Sequence, residues 1–362
     1  MLKSFSMRYC LLLIFLLFFT PAWPQGSASN PVFWGLKPHY GFIIPHSKAI
    51  RDISSSNPYG LGLDYGWVLA QEHDWQRCNC YSRAGFSVLY ANYGNPEVLG
   101  SSLNLIMFAE PYLDFKGDWK TSLRMGVGPS YITKVYDEEE NPANLFFSSH
   151  LSFIIHLDLT FHIRVSERWF LNVYAKYNHI SNGGIDEPNK GMNFPTFGAG
   201  MDHTLEPLQL DPRQPAPVED KGIVPSLGVF ATMKNVVVGE GDVKKRTFGF
   251  GALAKARKNV TRLNALSLGA EYLWDGEIRE KTAGNQKHRQ VSLLAGNELL
   301  FGKFIFSQYW GTYLYAPYYK KNFFQRYALT YQVSEHLRLG VTLKAHAEVA
   351  QNFNVLIDYD MK

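Results

Sequence analysis

The segment from Phe147 to Arg164 alternates apolar and polar side chains almost without interruption. Successive side chains of an extended strand point to opposite faces, so this pattern predicts one long strand with an apolar and a polar face. Strands in globular proteins usually have about five or six residues, and this one is far longer. It has the length and the alternation of a strand that crosses a membrane as part of a β-barrel. We expect His150, His156 and His162 to face the lumen.

Similar alternation recurs along most of the chain. The stretch Leu205–Gly222 contains four prolines and is predicted to be a connecting loop, because proline cannot donate to a central ladder. Several later segments alternate less clearly, so we expect an even total of about 12–16 strands. The candidate strands are 34–45, 57–69, 83–93, 101–114, 118–134, 147–164, 168–181, 193–203, 223–237, 245–258, 261–274, 289–301, 303–315, 323–333, 336–347 and 350–360.

The aromatic content favours a barrel in lipid over a soluble protein. The chain contains 25 Phe, 21 Tyr and 8 Trp. Aromatic girdles at both membrane interfaces are typical of transmembrane β-barrels. The predicted fold class is therefore all-β, a transmembrane antiparallel β-barrel. A soluble secreted β-protein is the alternative, and an aromatic belt on the lipid-facing surface would exclude it.

The N-terminus predicts export from the cytoplasm. Lys3 and Arg8 precede an apolar run, Leu11–Phe19, that is too short to span a bilayer. We therefore expect residues 1–25 to be a cleaved signal peptide and residues 26–362 to form the barrel in the outer membrane of a Gram-negative bacterium. The net charge of only +4 gives no indication of nucleic-acid binding.

Two cysteines, Cys78 and Cys80, remain after this cleavage. Cys10 would be removed with the signal peptide. The short spacing of the remaining pair predicts either a local bridge or two free thiols in a turn, and not a disulfide framework or a zinc site. We expect neither a metal ion nor a cofactor.

The clearest chemical signal is His179-Ile-Ser181 at the end of a predicted strand. Residues i and i+2 lie on the same face of a strand, so the imidazole and the hydroxyl are expected side by side. A histidine that accepts the proton of a serine hydroxyl is the minimal arrangement for attack on an ester. Both residues continue the apolar series of 168–181, which predicts that they face lipid at the rim. A lipid entering sideways from the outer leaflet is the substrate that this position favours.

The segment His179–Asn193 resembles the outer-membrane lipid A 3-O-deacylases of the PagL type, a family with an eight-stranded barrel. The likeness covers roughly residues 33–204; residues 205–362 provide additional strands outside it, as in a longer acyloxyacyl-hydrolase relative. By this resemblance Ser181 is the nucleophile and His179 the base, and Asn182 is also in pattern. The family's orienting Glu corresponds to Asn193. The resemblance implies that the chain removes an acyl chain from lipid A, the membrane anchor of lipopolysaccharide.

The change to Asn193 leaves the third member of the site open. An amide oxygen can accept the imidazole Nδ1–H bond and fix the tautomer, but it carries no charge to stabilise the imidazolium. Asp186 or Glu187 in the following loop could supply the carboxylate instead. Backbone N–H groups of Asn182, Gly183 and Gly184 are the expected oxyanion donors. The alternative is a catalytically silent barrel, such as a porin or an adhesin.

Overall fold

The structure is a computed structural model that describes residues 30–115, 117–211, 213–214, 222–238, 243–282, 284, 286–320, 322–346 and 349–361. The predicted signal peptide lies outside the described residues. Across the described ranges no helix is both long and apolar enough to cross a membrane.

The first eight strands close into an antiparallel barrel. Each strand pairs with the next, and the last pairs back onto the first from Phe33↔Thr204 to Gly41↔Thr196. A seven-residue helix, α1 (Glu72–Cys78), follows the second strand. The strands of this first barrel are β1 (Val32–Gly41), β2 (Tyr59–Leu69), β3 (Ser82–Asn92), β4 (Ser101–Asp114), β5 (Trp119–Ile132), β6 (Leu151–Arg164), β7 (Trp169–Ser181) and β8 (Met192–Thr204).

A second antiparallel barrel follows, again of eight strands. Asp275 caps its short helix α2 (Gly276–Lys281) by accepting the N–H groups of Glu277 and Ile278. The strands of this second barrel are β9 (Ile223–Val238), β10 (Val243–Asn259), β11 (Asn264–Asp275), β12 (Arg289–Phe301), β13 (Phe304–Tyr315), β14 (Phe323–Gln332), β15 (Leu337–His346) and β16 (Val349–Asp360).

The all-β antiparallel barrel class is confirmed, and the sixteen strands fall within the predicted range. They differ from the expectation in closing as two barrels rather than one. The division falls at the proline-containing stretch after Thr204, where β8 pairs with β1 before the chain continues into β9. Alternation along each strand is the same whether eight or sixteen strands close a ring, so the sequence pattern did not distinguish the two.

The side chains of β6 follow the predicted faces. Ile155, Leu157 and Phe161 are exposed on the outside, while His156 and His162 are buried in the lumen. The prediction was wrong at the beginning of the strand, which starts at Leu151 and not at Phe147. Residues before it fold over the end of the barrel.

The histidine nearest this fold-over is therefore not in the lumen. Phe147 is buried in an apolar cluster with Phe146 and Phe194. His150 is exposed; its Nδ1 lies 2.7 Å from the carbonyl oxygen of Ile132, and its ring stacks on that of Tyr131. Local packing at the barrel end thus overrides a period-two pattern that continues through the sequence.

Ion pairs fill the lumen of the first barrel. Arg124 lies 2.7 Å from both Asp64 and Glu110, and Arg83 lies 2.7 Å from Asp202; all five side chains are almost completely buried. An eight-stranded barrel is only wide enough for its own side chains to fill. A lined cavity beside Arg83 has a volume of about 10 Å³, room for about one water molecule. This packing argues against the porin alternative.

The lumen of the second barrel is filled in the same way. Lys255 pairs with Asp358 at 2.8 Å, Arg338 pairs with the same carboxylate at 2.9 Å, and Arg326 pairs with Glu271 at 2.5 Å. Outside, its strands expose large apolar side chains such as Phe250 and Trp310. Both barrels therefore have the apolar exterior and polar interior of membrane barrels.

Cys78 and Cys80 form a disulfide. Of the two arrangements predicted for this pair, the structure contains the local bridge.

Replacing the central cation of the first lumen tests whether its ion pairs hold the barrel together. Arg124→Met removes the cation nearest to both buried carboxylates and leaves Asp64 with Lys37 at 3.1 Å and Glu110 with Arg83 at 3.7 Å. We expect the free energy of unfolding to fall by about 3–5 kcal/mol. The measurement is guanidinium unfolding in detergent micelles, followed by tryptophan fluorescence. The exposed Arg168→Met is the control and should change stability by less than about 0.5 kcal/mol. Equal effects of the two substitutions would contradict a structural role for the network.

Candidate active site on the outer face of the first barrel

Three strands bring the predicted residues together. His179 lies opposite Ile155 on β6 and opposite Asn193 on β8, and Ser181 lies opposite Phe153. The apolar residues of β7 that share the face of His179 are exposed, whereas the intervening residues are buried in the lumen. His179 and Ser181 themselves are half-buried. The pair therefore lies on the outer wall at one end of the barrel, here called the site end.

The imidazole of His179 bridges the other two side chains through its two nitrogens. Nδ1 lies 2.6 Å from Oδ1 of Asn193, and Nε2 lies 3.2 Å from Oγ of Ser181. Because an amide oxygen only accepts, Nδ1 carries the proton and Nε2 has its lone pair directed at the serine hydroxyl. This is the tautomer in which a histidine can remove the proton of a serine.

A second histidine, His46, lies on the far side of Asn193 and was missed by sequence reasoning. Its Nε2 donates to the carbonyl oxygen of Lys190 at 2.9 Å, which leaves Nδ1 as an acceptor. Nδ2 of Asn193 lies 3.5 Å from that Nδ1. The amide of Asn193 is thus oriented with its oxygen toward His179 and its nitrogen toward His46. The two residues are 147 positions apart, so no local pattern could have indicated the contact.

The turn after Ser181 is organised by Asn182. Its side-chain oxygen accepts the N–H groups of Gly184 and Ile185, and its side-chain nitrogen donates to Oγ of Ser148 and to the carbonyl oxygen of Asp186. Asn182 is buried. A buried side chain with these contacts holds the turn in one conformation.

The three predicted oxyanion donors are not equivalent in the structure. The N–H of Asn182 donates to Oδ1 of Asn189, and that of Gly184 donates to Oδ1 of Asn182. The N–H of Gly183 is directed at Oγ of Ser181 at 3.4 Å. Of the three, Gly183 therefore has the donor best placed to meet negative charge developing beside Ser181.

Gly191, near the other end of the loop, packs directly against His179 and Ser181. It has φ of +66°, and a Cβ there would lie 3.0 Å from Cε1 of His179 and 3.2 Å from Cβ of Ser181. A side chain at this position would be strained and would press on the imidazole. The loop backbone can pack against the site only because residue 191 is glycine.

The loop carboxylates do not occupy the place beside His179 that was considered for them. Nδ1 of His179 is bonded to Asn193. Asp186 accepts the N–H of Glu187 through its own Oδ1, and its carbonyl oxygen accepts from Ser148. The structure therefore favours Asn193 over Asp186 or Glu187 as the partner of His179.

An apolar groove lies on the outer wall beside the site. Its volume is about 250 Å³. The small side chain of Ala175 lies in one lateral row with Leu159 and Phe197, and the row of Tyr177 separates it from that of His179. Along an extended strand this places Ala175 about 13 Å from His179. The residues lining the groove are Leu123, Leu157, Leu159, Ala175, Lys176, Tyr177, Pro195 and Phe197.

Both barrels match known protein-family models. Residues 46–202 match the model of the lipid A 3-O-deacylases (PagL), and residues 226–362 match that of the acyloxyacyl hydrolase C-terminal domain. The chain belongs to the PagL family. The two models describe a lipid A deacylase and an acyloxyacyl hydrolase, so the chain is an all-β barrel protein of a deacylase family. The resemblance inferred from His179–Asn193 is confirmed, and the second match extends to the strands that the first likeness did not cover.

More distant comparisons add little. No curated protein matches the chain significantly. The crystal structure of Neisserial surface protein A is 10% identical and aligns over 50% of this chain and 100% of its own, with a TM-score of 0.34. The siderophore receptor PirA from Acinetobacter baumannii is 8% identical over 88% of this chain and 43% of its own, with a TM-score of 0.23. A triple mutant of Rhodopseudomonas blastica porin is 8% identical over 92% and 99%, with a TM-score of 0.18.

The part of the chain that the structure describes contains no cluster of three or more His, Cys, Asp or Glu side chains placed to hold a metal ion. The polar groups around His179 are amides, a second imidazole and backbone groups, which suit acyl transfer by proton movement.

Proposed function

We propose that the chain is an esterase of the outer membrane that hydrolyses an ester-linked acyl chain of lipid A. The observation that carries the proposal is the imidazole of His179, held between Ser181 and Asn193 on the lipid-facing wall. A polar trio facing hydrocarbon is costly unless it is used. Membership of the PagL family supports lipid A, and therefore lipopolysaccharide, as the substrate.

The reaction follows from the placement of the protons. Oγ of Ser181 attacks the ester carbonyl carbon while its proton passes to Nε2 of His179. The resulting oxyanion accepts the N–H of Gly183. When the intermediate collapses, the C–O bond to the sugar breaks, and His179 returns the proton to the departing sugar hydroxyl. A water molecule, activated by the same nitrogen, then attacks the acyl-serine, which releases the fatty acid and restores Ser181.

Asn193 supplies orientation without charge. Its oxygen holds Nδ1–H of His179, and His46 holds the amide in the required orientation. We propose that His46, Asn193, His179 and Ser181 form one hydrogen-bonded relay, in which His46 is a positioning residue that acts through Asn193.

The apolar groove favours an acyl chain as its occupant. It lies on the lipid-facing wall and is lined mainly by aliphatic and aromatic side chains, so a lipid tail can enter it without leaving hydrocarbon. An ester carbonyl at Ser181 would place the adjoining chain along the wall toward Ala175.

Mass spectrometry of lipid A incubated with the purified full chain tests the proposed reaction. We expect release of an ester-linked fatty acid, and Ser181→Ala should lower the rate by at least about a thousandfold because the nucleophile is lost. Ser149→Ala, a half-buried serine near the same barrel end, is the control and should retain activity. If the native chain removes no acyl chain from lipid A, the catalytically silent barrel is the better description.

Substitutions at Asn193 and His46 test the relay. Asn193→Leu leaves Nδ1–H of His179 without an acceptor and should lower kcat at least tenfold. Asn193→Glu adds the charge that stabilises an imidazolium and should leave kcat unchanged or raise it.

The second histidine is tested in both backgrounds. His46→Phe should lower kcat in the native chain, where it frees the Asn193 amide, and should have little effect once residue 193 is glutamate, since a carboxylate has no amide to orient. Equal losses in the two backgrounds would contradict an action through Asn193.

Filling the groove tests where the acyl chain lies. Ala175→Phe should lower kcat/KM for a myristoyl ester at least tenfold, or about 1.4 kcal/mol, and should leave a butyryl ester within twofold. Val173→Phe, on the same face but outside the groove lining, is the matched control. Equal effects on both chain lengths, or a similar loss from the control, would show that the tail lies elsewhere.

A further inference from the structure

At one end of the second barrel, strands β9 and β16 are not paired along their full length. The ladder between β9 and β16 runs from Asp360↔Ser226 to Val355↔Ala231, and among the described residues the two strands form no ladder pair beyond it. β9 continues to Val238 paired with β10, and β16 extends back to Val349 paired with β15. Oγ1 of Thr232 still reaches the carbonyl oxygen of Phe353 at 2.5 Å. The two strands therefore part just past this point.

The active-site turn of the first barrel lies at this opening. The N–H of Asn235 on β9 donates to the carbonyl oxygen of Ile185 at 3.0 Å. A Cβ on Gly183 would lie 2.9 Å from Cβ of Phe353 on β16, and one on Gly184 would lie 3.7 Å from the carbonyl oxygens of Ala350 and Gln351. The turn thus contacts both strands of the parted seam.

A second contact joins the barrels on the outer wall. The ring of Phe153 stacks on that of Phe353, with centroids 5.7 Å apart and planes inclined by 18°. Phe153 is the cross-strand neighbour of Ser181. Phe353 therefore touches the two structures that flank the serine: the strand beside it and the glycine turn after it.

Two features of the structure favour glycine at position 183. Its φ of +70° disfavours any side chain, and a Cβ there would lie 2.9 Å from Cβ and 3.2 Å from Cγ of Phe353. Its N–H is the group directed at Oγ of Ser181. A shift of Phe353 would therefore change the position of the donor that faces the nucleophile.

We infer that the second barrel positions the active site. The separated ends of β9 and β16 contact residues 183–185, and Phe353 holds the N–H of Gly183 in place beside Oγ of Ser181. This inference rests on the esterase proposed above. Phe353 acts through Gly183 and is a positioning residue. A reaction that depends on where an oxyanion donor lies is sensitive to such support, because displacement of about 1 Å can cost about a hundredfold in rate.

Substitution of Phe353 in the full chain tests the positioning. Phe353→Ala should lower kcat at least tenfold with KM for a short soluble ester within twofold, because the donor moves while the groove is untouched. Phe353→Tyr keeps the ring and should restore most of the rate. Phe323→Ala, an exposed phenylalanine of the same barrel, is the matched control and should leave the rate unchanged. An active native chain in which Phe353→Ala behaves as Phe323→Ala would overturn the inference.

A measurement without turnover separates this inference from the proposed function. In the double variant Phe153→Cys, Phe353→Cys, oxidation should join the two barrels in native membranes, and hydrogen exchange of the Gly183–Ile185 amides should be slower in the joined than in the reduced form. Failure to cross-link, or exchange that is equal in both forms, would overturn the inference even if the native chain is active. If the double variant cross-links and protects the turn while the native chain removes no acyl chain, the proposed function is overturned and the docking of the two barrels is established.

Discussion

Closure of the backbone hydrogen-bond ladder is the constraint on which the rest of this molecule depends. No water is available inside a bilayer to satisfy an open sheet edge, so each sheet must pair its last strand with its first. Here closure occurs after eight strands, twice. A ring of eight leaves a lumen that side chains can fill, and the charges inside it must then be paired with one another. Arg124 between Asp64 and Glu110 is the clearest result of that requirement.

A filled lumen leaves only the outer surface of the barrel for the proposed reaction. The interior of the first barrel is packed with ion pairs, so a lipid substrate could reach only the wall or the rim. His179 and Ser181 lie where the lipid-facing series of β7 meets the site end, and an apolar groove lies beside them on the same wall. The rigidity of the barrel also suits the site, because groups held on strands keep their geometry better than groups on loops.

Alternation made the strands and their faces predictable and placed His179 beside Ser181, while Asn193 was indicated by the resemblance of His179–Asn193 to the PagL type. In each case the information is local: residues i and i+2 share a face, and a short loop brings Asn193 back beside His179. The division into two barrels was not predictable from this pattern, because the pairing of β8 with β1 joins residues far apart in the sequence. The same applies to His46. At Phe147 the alternation continues in the sequence, but tertiary packing ends the strand at Leu151.

Two features meet at one place: the neutral Asn193 beside His179, and the separated end of β9 and β16. In the proposed esterase Asn193 is a neutral orienter, which lacks the charge of a carboxylate and makes the remaining oxyanion stabilisation more important. The N–H of Gly183 is the donor best placed to provide it, and it lies in a turn that the first barrel holds through Asn182 and its contacts with Ser148 and Asn189. The parted seam of the second barrel also supports that turn. For the proposed reaction, the uncharged partner at Nδ1 of His179 and the added packing against the glycine turn are complementary, because both would act on the same transition state.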